Sequence, residues 1–388
     1  CWLPLLLPEM RGMEGEYLKR LDGILLSGGG DIIYSERNTG SGLPSGPPAP
    51  MMAFLRGNNT VNPYMNFWDG LNGAPRNLWE GIRHCNIFLE EILVENGGPR
   101  DVDEMLRTRW IAEAKAIKAY LHFYLFQLYG PIPIIDNAVP ISEKGDKVNV
   151  YRAPVNEVVD YIVGTLDEAI EDLPTMNELD VVSEFGRFTK TIALSIKAKT
   201  LVLAASPLFN NNNYYTGYKD KRGVELFPAG DSAEKWERAL EACDVASRAA
   251  EEEGAVILIT TDGGNNAIRG INMTNINDTT KAMVSLRQAV TESWNPEVIW
   301  AVNESTTLLQ RWSTMLSNDE WFNLAGSGGG DIGQRHGPTL NFIENFYSAN
   351  GIPIDEDAAW ENNGWYQNRY NTQLPDKEHS KYFIKKGE

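Results

Sequence analysis

Apolar residues recur at steps of three and four through several long segments, the spacing that places them on one face of a helix. The signal begins near Asn77 and strengthens from Asp101 to Tyr129, where Trp110, Ala114, Ile117, Leu121, Leu125 and Leu128 predict one buried stripe. Gly130-Pro131 closes that helix, because proline has no N–H to donate and disfavours a helical residue before it. A second helix starts at Pro154, carries Val158, Val159, Ile162, Leu166, Ala169 and Ile170, and stops at Pro174. A third runs from about Thr189 to Ala205 and ends at Ser206-Pro207. The fourth, from about Ser232 to Glu252, puts Trp236, Leu240, Cys243 and Ala250 on one face and ends at Gly254; a shorter one is expected over Leu340 to Tyr347. Ala255 to Thr260 and Glu297 to Val302 read as short strands. The rest is loop, notably 27–77, which is rich in Gly, Pro, Ser and Asn, and the stretch from Gly326 to Tyr370. The expectation is a mostly helical protein, a tetratricopeptide-like helical-repeat stack with long loops and short strands.

Composition narrows what such a stack can do. The 388 residues carry 35 Lys plus Arg against 53 Asp plus Glu, a formal charge of −18, which repels phosphate backbones and anionic lipid surfaces. Nucleic acid is thereby excluded as a partner. No apolar run approaches the roughly 20 residues needed to span a bilayer. Three widely separated cysteines, Cys1, Cys85 and Cys243, and four histidines form no metal-ligand spacing, so neither metal nor cofactor is expected. Cys85 and Cys243 lie on apolar helical faces and read as free, buried thiols. Cys1 fits both a lipid-bearing residue left after signal removal and a chance first residue.

The 11 Trp and 15 Tyr exceed what a core demands, and many stand among Asn, Gly and Asp. A flat apolar ring beside amide and guanidinium groups is the chemistry that recognises sugar: the ring stacks on pyranose C–H faces and the polar groups exchange hydrogen bonds with hydroxyls. Two loops supply that mixture. The first holds Asp31, Tyr34, Phe54, Arg56, Asn58, Asn59, Tyr64 and Trp68, and alternatively these residues pin the loop to the helices. The second holds Trp294, Gln310, Arg311, Trp312, Asn318 and Trp321. Trp300 ends an apolar run and is assigned to the core, whereas Trp312 has polar neighbours and is assigned to stacking. Trp360, Trp365, Tyr366 and Tyr370 form a third aromatic cluster.

Three blocks in order carry a family resemblance. The first is Ala112-Glu113-Ala114-Lys115, Lys118-Ala119-Tyr120 and Leu128-Tyr129-Gly130-Pro131-Ile132-Pro133. The second is Gly186-Arg187, Thr189-Lys190, Ala198-Lys199 and Ala204-Ala205-Ser206-Pro207-Leu208-Phe209-Asn210. The third is Pro338-Thr339 with Asn350-Gly351-Ile352-Pro353-Ile354. Together they resemble the SusD/RagB glycan-binding lipoproteins of gut and oral Bacteroidetes. The resemblance implies a single SusD-like domain over 1–388, with a loop-rich part at 27–77, a helical-repeat scaffold at 78–252 and a loop-rich ligand-binding part at 253–388. It further implies a non-catalytic, surface-exposed, lipid-anchored outer-membrane protein that binds glycan and passes it to a SusC-like TonB-dependent transporter. Family members continue beyond the segment that ends here in Lys385-Lys386-Gly387-Glu388, so the chain reads as partial or divergent.

The motif residues themselves read as structural. Glu113, Lys115 and Lys118 are spaced for ion pairs on a solvated or interhelical face, and Arg187 and Lys190 could tether a loop. Two other classes of function compete with glycan binding. A helical glycoside hydrolase needs two facing carboxylates about 5–10 Å apart, and no such pair stands in a recognisable motif. A helical-repeat scaffold would use the aromatic loops as a protein interface.

Overall fold

The computed structural model describes residues 77–254 apart from a few loop positions, together with 66–70, 276–283, 297–301 and short pieces at 32–34, 336–338 and 347–358. Its contacts divide the chain into two units, 62–303 and the two ends 1–61 with 304–388.

The 62–303 unit holds the helices α1 (Leu78–Glu91), α2 (Glu104–Tyr129), α3 (Val155–Asp172), α4 (Lys190–Ala205) and α5 (Ala233–Glu252). Each packs on the next, and α2 also touches α4. The result is a helical stack. Its ends follow local chemistry. The side chain of Asn77 accepts the Trp79 N–H at 2.9 Å, Asp103 accepts those of Met105 and Leu106, and Thr189 accepts that of Ile192, each satisfying N–H groups that the first turn leaves unpaired. Pro154 occupies the cap of α3 one place before the expected first turn. At the end of α2, Gly130 has φ 66°, a conformation that costs a residue with a Cβ, and its N–H returns to the Phe126 carbonyl.

Small residues set the spacing of the core. Ala112, Ala116 and Ala119 of α2, Ala193, Ala198 and Ala205 of α4 and Ala239, Ala242 and Ala246 of α5 are buried beside Phe123, Phe126, Ile162, Leu166 and Leu201. This corrects part of two expected stripes, in which Ala114, Leu125 and Ala250 are buried as expected. In α2, Ile117 and Leu128 are 40% and 42% exposed, while Ala112, Ala116, Ala119, Phe123 and Phe126 face inward. That helix is enclosed by α1, α3 and α4, so it has no single apolar face for the spacing to report. In α5, Trp236 and Leu240 lie outside at 38% and 61% exposure, and the alanines meet α4. The largest apolar side chains marked the wrong face there, because close helix approach favours the smallest ones.

The stretch 297–301 forms turn and bend rather than a strand, and 255–260 and most of 340–347 lie outside the described residues. Trp300 is a packing residue as expected: its ring meets Tyr120 at 5.1 Å and Phe188 at 4.9 Å, and its Nε1 donates to the Gly186 carbonyl at 3.1 Å. Cys85 and Cys243 are free thiols, the first buried and the second partly so.

The family-motif charges bind segments together. Glu113 of α2 takes Arg109 at 3.0 Å within its helix and Arg187, from the loop before α4, at 2.5 Å; Glu184 lies 2.9 Å from Arg109. Lys115 reaches Glu168 of α3 at 2.7 Å, so the face is interhelical.

In the other unit, strand β1 (Ile32–Tyr34) pairs antiparallel with β2 (His336–Pro338), Ile33 opposite Gly337, so the first loop-rich stretch contains a strand. Further along, Tyr347 bridges Pro353 around a turn in which Gly351 has φ 73°.

Candidate ligand-binding site

Between α2 and α3 the described residues from Pro131 to Ala153 are mostly turn and extended chain, and polar side chains of the helices hold their backbone. Arg83 and Asn86 of α1 donate to the carbonyls of Val139 and Ile135, both at 3.1 Å. Lys118 of α2, itself buried, donates to the Asp136 carbonyl at 3.2 Å and carboxylate at 3.1 Å. Tyr161 of α3 donates to the same carboxylate at 3.0 Å. His122, fully buried, lies with Nδ1 2.8 Å from the Lys118 carbonyl, so that nitrogen carries the proton and Nε2 is left to accept the Ile135 N–H at 3.4 Å.

These contacts fix the protonation states. Burial lowers His122 to about 4, so the ring is neutral and can keep its acceptor. Burial pushes the Asp136 carboxyl up, but the Lys118 ammonium and the Tyr161 hydroxyl outweigh it and hold the group below its ordinary value. Burial and the neighbouring Asp136 charge raise the Tyr161 hydroxyl, which stays a donor.

The segment so held forms one wall of a concavity of about 370 Å³. Trp68, Trp79 and Arg83 line it on the helix side, and Ile135, Asn137, Val148 and Val150 on the other. Trp68 meets Trp79 edge-on at 5.0 Å and Tyr129 at 5.2 Å, with the Arg152 guanidinium 5.7 Å from its ring. It is both a packing residue and part of the lining. Asn86 also lines the concavity, and its Oδ1 is buried with no hydrogen-bond partner. Two indoles, exposed valines, an amide and a guanidinium can take a ring with one apolar face and hydroxyls at its edge.

Of the residues singled out in the sequence, the described structure places Trp68 here. Asp31, Phe54, Arg56, Asn59, Tyr64, Trp294, Arg311, Trp312 and Trp321, and the cluster Trp360, Trp365, Tyr366 and Tyr370, lie outside the described residues. Sequence reasoning missed Trp79, which it treated only as the start of a helix, and Val148 and Val150, which carry no periodic signal. Among the described residues no group of three His, Cys, Asp or Glu could hold a metal ion, and no helix is long and apolar enough to cross a membrane.

A stack of sequentially packed helices with a loop-walled concavity defines a tetratricopeptide-like binding scaffold. Residues 49–201 match the SusD-like_3 family, described as starch-binding associating with outer membrane. A SusD-like protein of Bacteroides ovatus is 27% identical over 161 residues, 41% of this chain and 26% of its own length. The solved structure of BT4246 superposes with a TM-score of 0.60 at 24% identity, over 87% of this chain and 63% of that one. Its selenomethionine form gives 0.55 at 26% identity, over 77% and 52%. Over residues 49–201 the chain is thus similar to the SusD-like family, and its fold is similar to that of BT4246. It spans about a quarter of the curated relative, and less than two thirds of either solved chain.

Proposed function

We propose that the protein binds oligosaccharide or polysaccharide without cleaving it, and delivers it to a SusC-like TonB-dependent transporter from a lipid-anchored position on the outer face of the outer membrane. The observation that carries this reading is the match of residues 49–201 to a family described as starch-binding and outer-membrane-associated, since that segment supplies both indoles and the held wall of the concavity. The geometry agrees with it. The carboxylates beside the concavity serve as anchors: Asp136 of the wall holds Lys118 and Tyr161, and Glu90 of α1 accepts the Ala138 N–H at 3.2 Å. The ligand-binding residues proposed from the sequence are Trp312, Phe54, Arg56, Asn59, Trp68, Tyr64, Asp31, Trp321, Trp294 and Arg311, with Trp312 the principal stacking ring.

A glycan array on the soluble protein is the test. Binding to a neutral polysaccharide with no product released over time is the expected result, and release abolished by a single Asp or Glu substitution would replace this reading with a hydrolase. On the glycan that binds, Trp312→Ala should weaken affinity by a factor of about 25 or more, because truncating a buried hot-spot aromatic commonly costs about 2 kcal/mol. Titration calorimetry showing unchanged affinity with the fold intact would place the site elsewhere. Purified from outer membranes, the native form should carry a large β-barrel with it.

A further inference from the structure

The loop from Ser206 to Phe227, between α4 and α5, takes no part in the concavity, yet its backbone is hydrogen-bonded beneath rings that face water. A column of stacked rings starts in the core at Phe126, passes to Phe209 at 4.7 Å and Phe227 at 6.2 Å, and ends on Tyr215, 4.3 Å from Phe227 with the planes 11° apart. Tyr214 stands edge-on to Tyr215 at 5.1 Å, and Tyr218 edge-on to Phe227 at 6.0 Å. Tyr214 is 87% exposed and Tyr218 51%, so neither gains much by burial.

The backbone beneath them is fixed. Asn211 has φ 63° and donates its N–H to the Gly230 carbonyl at 3.1 Å. Asn210 exchanges two hydrogen bonds with the Ser232 backbone, and Asn212 accepts the Tyr214 N–H at 3.0 Å. A ring held this way loses little freedom when a ligand lies on it. Alongside, Arg222 meets Asp220 at 2.7 Å and lies over the Tyr151 ring at 4.3 Å, and with Lys219, Lys221 and Glu225 the loop carries a formal charge of only +1. The surface is therefore close to neutral, and its exposed rings sit among Asn213, Thr216 and Gly217 rather than around a contiguous apolar centre such as a protein interface has.

We propose that Tyr214 and Tyr218 form a second stacking site, separate from the concavity, for the pyranose rings of a neutral polysaccharide. The proposal rests on the glycan-binding reading above. Ring faces take the sugar C–H surface, and the tyrosine hydroxyls and Asn213 amide take its hydroxyls. Two sites on one chain raise the affinity for a polymer long enough to meet both, and leave that for a short fragment unchanged.

The test uses amylose, a β-glucan, a mannan and a xylan, with the protein as it stands and as Tyr214→Ala/Tyr218→Ala and Tyr214→Phe. Both tyrosines are exposed, so the variants should fold, which circular dichroism checks. The double variant should bind the preferred polysaccharide about fivefold more weakly, the equivalent of roughly 1 kcal/mol of stacking, and bind its short fragments as wild type does. Tyr214→Phe should retain the polymer affinity. Tetranitromethane should nitrate Tyr214 more slowly when the polysaccharide is present, read by mass spectrometry. A wild type that binds polysaccharide with a double variant that binds it equally well would overturn this site alone. A wild type that binds none of the four overturns the site together with the glycan reading, and protection of Tyr214 by a β-barrel partner but not by polysaccharide would make the surface a protein interface instead.

Discussion

Two of the irregular segments that join the helices are secured by opposite means. The 131–153 segment is held by charged and polar side chains reaching out from α1, α2 and α3 to its backbone, and the surface it offers is concave. The 206–227 loop is held by rings stacked outward from Phe126, and the surface it offers carries the exposed Tyr214 and Tyr218. Polar anchoring suits a wall: each bond fixes one carbonyl or N–H and leaves apolar side chains such as Val148 and Val150 free to face the cavity. Stacking suits a platform, since each ring is support for the next and the exposed Tyr214 and Tyr218 stand edge-on against the outer rings. The polar anchors answer to pH, and the aromatic ones do not.

The largest expected effect breaks the aromatic column. Phe209 is buried between Phe126 and Phe227, and Phe209→Ala should cost about 3–5 kcal/mol, the range for deleting a buried aromatic. Urea unfolding measures it. Because the Phe209 ring lies beside Gly130, about where a Cβ there would meet it, some loss should reach the end of α2 while the 131–153 anchors keep their exchange protection.

Next in size is the response of the wall to acid. Folding lowers His122 from 6.5 to about 4, so between these values the unfolded chain binds a proton that the folded chain does not. Stability contributed by the neutral ring is thus fully present above about pH 6.5 and declines as pH falls toward 4. At about 1.4 kcal/mol per unit, the decline totals roughly 3 kcal/mol. His122→Gln should flatten this window in denaturation measured at several pH values. Asp136, whose carboxyl is lowered, acts in a separate window below the ordinary carboxylate range, so the two can be resolved.

The smallest effect lies where the segments meet. Arg222 of the aromatic loop lies over Tyr151 and donates to the Arg152 carbonyl at 3.3 Å. Its exposed pairing and ring contact predict a loss of only about 0.5–1 kcal/mol for Arg222→Ala. A loss as large as that of Phe209→Ala would mean that the two segments form one cooperative unit.

Much of the helical frame was legible because its signals are local. Asn77, Asp103 and Thr189 cap by their own side chains, and Gly130-Pro131 and Pro174 terminate by backbone geometry, none of which needs a distant partner. Which face is buried was less legible. The alanines of α2 and α5 carry weak hydrophobic signal, and their role depends on how closely the neighbouring helix approaches. The site was harder still. Trp68 could be picked out as an aromatic in a polar loop, but its union with Trp79, Val148 and Val150 depends on how Arg83, Asn86 and Lys118 fold the 131–153 segment back over α1. The run Asn211-Asn212-Asn213-Tyr214-Tyr215 gave no warning, since asparagines before a tyrosine pair read as an ordinary turn.

The two described thiols offer a clock built into the scaffold. Cys85 is buried on α1, and burial raises its thiol above the ordinary value, so in the closed protein it presents almost no thiolate to a reagent. Cys243, partly exposed on α5, is reachable without any opening of the stack. Alkylation should therefore tag Cys243 first, and the slower tagging of Cys85 marks the rate at which α1 lifts away from α2. Since α1 also carries Trp79, Arg83 and Asn86, that interval times the breathing of the concavity itself, on an unmutated chain.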